Sequence, residues 1–176
     1  MPSPMRSGIP RVEAVPAMTV SISGAAFGAA EEQVAADVIR PGDTLDEPLA
    51  AAARDVSRRA YAPFSHFHVG CALRTARGGV YAACNVENSA YPLSGCAERH
   101  ALAAAVAAEG AEVEVVDLVV LAFDGEGRPQ EAAPCGGCRQ QIFELGPRAR
   151  VGFVAGGAAR VVAINALLPF GFRLAR

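Results

Sequence analysis

The chain has 176 residues, 52% of them hydrophobic, and a formal net charge of -2 at pH 7. This length supplies one domain with a buried core and is short for two. A slightly acidic chain has no overall positive field, which argues against tight binding to long nucleic acid and favours a small-molecule partner.

No apolar run reaches the roughly 20 residues that a membrane-spanning helix needs, and the N-terminal residues lack the apolar core and cleavage site of a secretory signal. The chain has five cysteines. An odd number argues against a disulfide scaffold and for thiols that bind metal in a reducing compartment. We therefore expect a soluble, cytoplasmic protein with no membrane partner.

Residues 1–45 contain five prolines among small and polar side chains, and only a weak apolar periodicity. This composition predicts a loosely ordered N-terminal extension. The remaining residues, 46–176, are predicted to form the single folded domain.

The first element of this domain is a predicted helix that begins after Asp46 as N-cap and stops before Pro63. Its apolar positions recur at helical spacing, at Leu49, Ala53, Val56 and Ala60. The period then changes to that of two strands, over 67–75 and 79–85, which predicts a β-hairpin with its turn at 76–78.

A hairpin turn centred between Arg77 and Gly78 would place Cys71 nearly opposite Cys84. We expect both to be small buried side chains, in preference to metal ligands or a disulfide.

Helices and strands then alternate, over 96–109 (helix), 113–123 (strand), 135–145 (helix), 150–155 and 159–163 (strands), with a last helical turn from Asn165. Alternation of this kind predicts an α/β fold, a three-layer α/β/α sandwich around a mixed five-stranded sheet. The three-residue gap at 156–158 cannot hold a crossover helix, so the last two strands should be antiparallel.

Two short cysteine-containing runs carry the predicted chemistry, Cys96-Ala97-Glu98-Arg99 and Pro134-Cys135-Gly136-Gly137-Cys138. Each lies where a loop becomes a helix, and the positive end of the helix dipole favours the thiolate that zinc requires. Cys96, Cys135 and Cys138 therefore predict a catalytic Zn²⁺ site with three protein ligands and an open fourth position for water.

Glu98 is the predicted catalytic residue, because a carboxylate two positions after a ligand can reach the same site and carry protons. Three thiolates give zinc a net charge of -1, which raises the pKa of its bound water, so a positive partner is required. Arg99 is the expected partner, hydrogen-bonded to the sulfurs. The two runs match the general signature of zinc nucleobase deaminases.

Two alternatives share these cysteines. A structural zinc site would be closed by a fourth sulfur from Cys71 or Cys84. A zinc-stabilised, non-catalytic module for binding or editing nucleic acid would need a basic groove, which this acidic chain does not predict.

Over residues 47–172 the chain resembles the small, homotetrameric type of cytidine deaminase. The runs that carry the resemblance are Tyr61-Ala-Pro-Phe-Ser65, Phe67-His-Val-Gly70, Cys84-Asn-Val-Glu-Asn-Ser-Ala-Tyr91, Cys96-Ala-Glu-Arg99, Pro134-Cys-Gly-Gly-Cys-Arg-Gln-Gln141 and Leu167-Leu-Pro169. A deaminase of modified cytosine nucleosides, the blasticidin type, shares the cysteine runs and remains an alternative.

The resemblance implies hydrolysis of cytidine and deoxycytidine to uridine and deoxyuridine with release of ammonia, as in pyrimidine salvage. It implies one zinc ion per subunit and a homotetramer with shared active sites. Asn85 and Glu87 would hold the ribose hydroxyls, and Phe67 would stack on the base. The other substrate-binding positions that it implies are Ala97, Tyr91 and Phe172, the last reaching a neighbouring subunit, although Phe170 could take that place.

Overall fold

The computed structural model describes residues 44–174. The extension predicted over 1–45 therefore lies almost wholly outside the described residues, and its character stays a prediction. Within 44–174, no helix combines the length and the apolar character that crossing a membrane requires.

The helices are α1 (Glu47–Ser57), α2 (Ala97–Glu109), α3 (Gly136–Leu145) and α4 (Ile164–Leu167). The strands are β1 (His68–Thr75), β2 (Val80–Cys84), β3 (Val115–Phe123), β4 (Pro129–Gln130), β5 (Arg150–Ala155) and β6 (Ala158–Ala163). A single 3₁₀ turn spans Tyr91–Leu93. Helix α1 begins after the predicted N-cap, where the Asp46 carboxylate accepts a 3.1 Å hydrogen bond from the Leu49 amide, but it ends at Ser57, short of Ala60.

The sheet has the order β2-β1-β3-β5-β6, and β4 pairs with β3. Strand β1 is antiparallel to both β2 and β3, whereas β3 and β5 are parallel because α3 crosses over between them. Strands β5 and β6 are antiparallel. These pairings confirm the mixed five-strand sheet and the antiparallel last pair, and β4 adds a short strand that the periodicity did not predict.

The predicted register of the β1–β2 hairpin is wrong by one residue. Cys84 pairs with Gly70, and Cys71 pairs with Ala83. Because a shift of one residue reverses the faces of a strand, the two cysteines point to opposite sides of the sheet. The reason is the turn at 76–78, which is centred on Arg77 and is closed by a 2.9 Å hydrogen bond from the Thr75 amide to the Gly79 carbonyl, with Gly78 at a φ of 86°. Gly70 lies on the face towards α1, where a Cβ atom would collide with the carbonyl oxygen of Ala53.

The two faces of the sheet are covered by different helices, which confirms the three-layer arrangement. Against α1 lies a small core made of Leu49, Ala50, Ala53, Ala72, Val119 and Leu121. The larger core on the opposite face joins α2 and α3 to the sheet, and its fully buried members include Cys71, Leu73, Leu118, Ala101 and Ile142. Consequently α2 and α3 share one face of the sheet.

Candidate metal centre

The three predicted ligands lie at the beginnings of two helices. Cys96 is the N-cap of α2, and Cys135 is the N-cap of α3. The Cys135 sulfur accepts a hydrogen bond from the Cys138 amide at 3.4 Å, which holds both thiols in the first turn of α3. Each helix begins at the residue that could bind metal, so local capping geometry presents the sulfurs.

The Sγ atoms of Cys96, Cys135 and Cys138 all lie within 4.8 Å of one another. A tetrahedral zinc with Zn–S bonds of about 2.3 Å holds its sulfurs roughly 3.8 Å apart, so a small inward movement would complete the coordination. Soft thiolates brought together from two helix starts suit zinc. The residues present therefore fit the metal that the sequence predicted.

All five cysteines fall within 44–174, and the other two lie outside this cluster. Cys71 is fully buried in β1, and Cys84 faces α1 across the sheet. The arrangement gives no support to a closed site of four sulfurs.

The pKa values of Cys96 and Cys138 are shifted in opposite directions. A hydrogen bond from Cys138 is the main cause that lowers the pKa of Cys96 to about 6. The same interaction, with burial, raises the pKa of Cys138. A thiolate is thus already favoured at the start of α2, as expected where amide groups and the helix dipole converge.

Glu98 is buried beside this cluster, with 4% of its surface exposed. Removal from water raises the pKa of its carboxyl group, while hydrogen bonds, including one with Cys138, act in the opposite direction. The charge of Glu98 also adds to the effect of burial in raising the pKa of Cys71. A buried carboxyl group next to three thiols is suited to accepting and releasing a proton.

A cavity of about 280 Å³ opens onto the cluster. Its lining comprises Phe67, Val69, Asn85, Val86, Glu87, Ser94, Gly95, Cys96, Ala97, Glu98, Val120, Ala132, Ala133 and Cys135. The structure therefore brings four of the predicted substrate-binding positions, Phe67, Asn85, Glu87 and Ala97, into one cavity with Glu98 and two of the sulfurs.

The polar wall of the cavity is held by backbone groups of the preceding loop. Asn85 accepts from the Val69 amide at 2.8 Å and donates to the Phe67 carbonyl at 2.9 Å. Glu87 accepts from the amides of Phe64 and Ser65 at 3.0 and 3.3 Å. These bonds fix where the amide and the carboxylate stand.

Three predicted positions lie elsewhere in the single chain. Arg99 is exposed and lines a groove on the outside of α2 and α3, although its charge contributes to the lowered pKa of Cys96. Tyr91 is 75% exposed and meets Phe64 edge to face, with ring centroids 6.5 Å apart. Phe172 is 69% exposed and Phe170 90%. Neither aromatic ring at the C-terminus lines the cavity.

Sequence reasoning missed Arg139, which follows Cys138 directly. Its Nε donates to the Pro134 carbonyl at 2.9 Å, and its Nη1 donates to the Leu167 carbonyl at 3.0 Å. Arg139 therefore ties the loop before Cys135 to α4. An arginine immediately after the second cysteine of the Cys-x-x-Cys run was the available signal.

Comparisons with known proteins agree with this geometry. The family described as the cytidine and deoxycytidylate deaminase zinc-binding region matches residues 43–154. A cytidine deaminase of Sporosarcina psychrophila is 41% identical over 99 residues, 56% of this chain and 68% of that protein. One from Halalkalibacterium halodurans is 38% identical over 115 residues, 64% of this chain and 83% of the relative.

A crystal structure of the cytidine deaminase from Burkholderia pseudomallei superposes with a TM-score of 0.64 at 40% identity, covering 73% of this chain and all of that one. The fold and the clustered thiols beside a buried carboxyl group define a zinc-dependent hydrolytic deaminase. The chain belongs to the cytidine and deoxycytidylate deaminase family.

Proposed function

We propose that this protein hydrolyses cytidine and deoxycytidine to uridine and deoxyuridine with release of ammonia. The observation that carries the proposal is one cavity that is lined by Glu98, by two of the three clustered cysteines and by Asn85 and Glu87. The cavity volume, about 280 Å³, is close to the lower end of the range of about 300–1,000 Å³ typical of small-molecule sites.

Cys96, Cys135 and Cys138 would hold one zinc ion per subunit, and zinc when bound supplies Lewis-acid activation of a water molecule. Glu98 would take one proton from the water and give it to the ring nitrogen, and would then take the second proton from the hydroxyl group added to the ring and give it to the amino group, which leaves as ammonia. Burial of Glu98 excludes bulk water from this transfer. Arg99 would offset the charge of the three thiolates.

The other wall of the cavity would recognise the nucleoside. The Glu87 carboxylate and the Asn85 amide are the donor and acceptor types that pair with a ribose diol. The half-buried Phe67 ring would stack on the base, and Ala97 leaves room for it beside the thiols.

The assembly that would complete this site is a homotetramer with shared cavities. Exposed large apolar side chains between residues 61 and 93 include Tyr61, Phe64, Val86, Tyr91 and Leu93. Val86 lines the cavity itself, and exposed apolar side chains in such number favour contact with another protein chain. Tyr91 and Phe172, which are largely exposed in one chain, would then contribute to a neighbour's cavity. Residence in the cytoplasm and a role in pyrimidine salvage complete the proposal.

The experiment that tests the proposal is ultraviolet absorbance loss with cytidine, deoxycytidine and blasticidin S as separate substrates of the purified full chain. Turnover of the two simple nucleosides supports the assignment. Turnover of the antibiotic alone would replace it with the modified-nucleoside alternative. Elemental analysis of the same sample should give one zinc per chain, and light scattering should give four chains per particle.

A further inference from the structure

Ser65 uses its hydroxyl group in two directions at once. Its Oγ donates to Glu87 Oε1 at 2.5 Å and accepts the amide hydrogen of Phe67 at 3.0 Å. A serine hydroxyl has one hydrogen and two lone pairs, so both bonds can form together. The same hydrogen bond to Ser65 is the largest cause that lowers the pKa of Glu87.

Both backbone polar groups of Phe67 are consequently held by residues of the polar wall. Its amide is bonded to Ser65, which is bonded to Glu87, and its carbonyl is bonded to the Asn85 side chain at 2.9 Å. The backbone position of Phe67 is therefore tied to the side chains of Ser65 and Asn85, and through Ser65 to Glu87.

The Glu87 carboxylate can accept a further hydrogen bond from a ligand. A carboxylate has about four acceptor positions, and three donors from the described residues reach this one, the Phe64 amide and the amide and hydroxyl of Ser65. Ser65 itself is exposed and contributes no apolar packing to either core, so its hydroxyl group is the part that matters.

We propose that Ser65 is a positioning residue that joins sugar recognition by Glu87 to base stacking by Phe67. The proposal rests on the proposed function, in which Glu87 binds ribose hydroxyls. Ser65 touches no substrate in this account. It orients the Glu87 carboxylate and the Phe67 backbone through hydrogen bonds of one hydroxyl group. The position of the bound ribose and the position of the stacked base therefore depend on the same residue.

The test compares Ser65→Ala, Ser65→Thr, Glu87→Gln and the double variant in the zinc-loaded full chain. Substrates are cytidine and 2′,3′-dideoxycytidine, which lacks the hydroxyls that Glu87 would bind. A hydrogen bond to a charged group corresponds to a change of about 10-fold or more. We therefore expect Ser65→Ala to raise KM for cytidine about 10-fold with kcat nearly unchanged, and to affect kcat/KM for the dideoxy analogue much less.

Ser65→Thr keeps the hydroxyl group at an exposed position and should restore a KM close to that of the parent. Adding Ser65→Ala to Glu87→Gln should raise KM much less than Ser65→Ala raises it in the parent, because the charged bond between the two residues is already lost and only the bond to the Phe67 amide remains to be removed. If KM for cytidine is unchanged in Glu87→Gln, Glu87 does not bind the ribose hydroxyls, and that part of the proposed function is wrong. A raised KM in Glu87→Gln with an unaffected Ser65→Ala would overturn only the positioning role, as would equal losses of Ser65→Ala on both substrates.

Discussion

The cavity contains two carboxyl groups whose surroundings are opposite. Glu98 lies beside the sulfurs with 4% of its surface exposed, and burial raises the pKa of its carboxyl group. Glu87 stands in the partly exposed wall, where hydrogen bonds from Ser65 and the Phe64 amide lower its pKa. The surroundings thus favour a proton carrier at one end of the cavity and an acceptor that is charged at neutral pH at the other.

The two ends also differ in how the chain builds them. At the metal end, each helix start supplies its ligand locally, and Cys135 is bonded to an amide only three residues away. The other end of the cavity is called the sugar end here, after the ribose contacts proposed for Asn85 and Glu87. There, Glu87 is hydrogen-bonded to residues 22 and 23 positions earlier in the chain. The residues of the metal end are close together in the sequence and form a recognisable motif. The residues of the sugar end are far apart in the sequence and come together only when the chain folds.

The largest expected loss of activity is that of Glu98→Gln, at the metal end of the cavity. The amide has nearly the same shape but cannot accept and return a proton, so we expect kcat to fall about 10²- to 10⁴-fold. Zinc content and melting temperature should stay close to those of the parent. The assay is cytidine turnover with elemental analysis of the same sample.

Glu112→Gln is the matched control, because Glu112 is exposed at the turn after α2. It should retain full turnover. Turnover by Glu98→Gln at the parental rate would mean that another group carries the proton.

The second largest effect is expected on zinc retention when one of the three cysteines is replaced. Cys138 is completely buried within the cluster, and Cys138→Ser replaces a soft sulfur by a hard hydroxyl oxygen. We expect zinc to be lost on dialysis and the melting temperature to fall, because metal binding contributes to the stability of the folded state. Cys84→Ser changes a thiol on the other face of the sheet and should keep its zinc. Zinc loss in that control would point to a closed site of four sulfurs instead.

The metal end was predictable from the sequence because its signals are short. Cys96 and Cys135 are the N-caps of α2 and α3, at the helix starts that the periodicity predicts, and Asp46 caps α1 as the capping rules predict. The sheet followed from alternating periods and from the short gap between the last two strands.

The features that the sequence analysis did not predict depend on contacts between parts of the chain that are distant in sequence, or on segments too short to show a pattern. The two-residue strand β4 is too short to show a period. Ser65 and Arg139 act through hydrogen bonds to distant parts of the chain, so their spacing gives no sign of their partners.

A smaller effect is expected from Arg99→Ala. Arg99 is exposed, and an exposed charge contributes less than about 1 kcal/mol, equivalent to less than about fivefold in zinc affinity. Competition with a chromophoric chelator measures the change, and Arg58→Ala, at the C-cap of α1, is the control. A loss of 100-fold or more would show that Arg99 turns inward onto the sulfurs when zinc is bound.

The smallest effect should appear in the pH dependence of stability at the sugar end. The pKa of Glu87 is lowered from its ordinary value of 4.5 in the folded protein, with His66 adding a weak charge effect to the hydrogen bonds. Its stabilisation is therefore complete above pH 4.5 and is lost as the pH falls through the folded-state pKa. Glu87→Gln removes this titration.

Melting temperatures of zinc-loaded parent and Glu87→Gln protein from pH 6 to pH 4 provide the measurement. Acid weakens zinc binding in both proteins alike, so the difference between the two curves isolates Glu87. We expect the advantage of the parent to be constant above pH 5 and to shrink below the ordinary value of 4.5. If the advantage grew as the pH fell, the folded pKa of Glu87 would be raised, and the contrast between the two carboxyl groups would be lost.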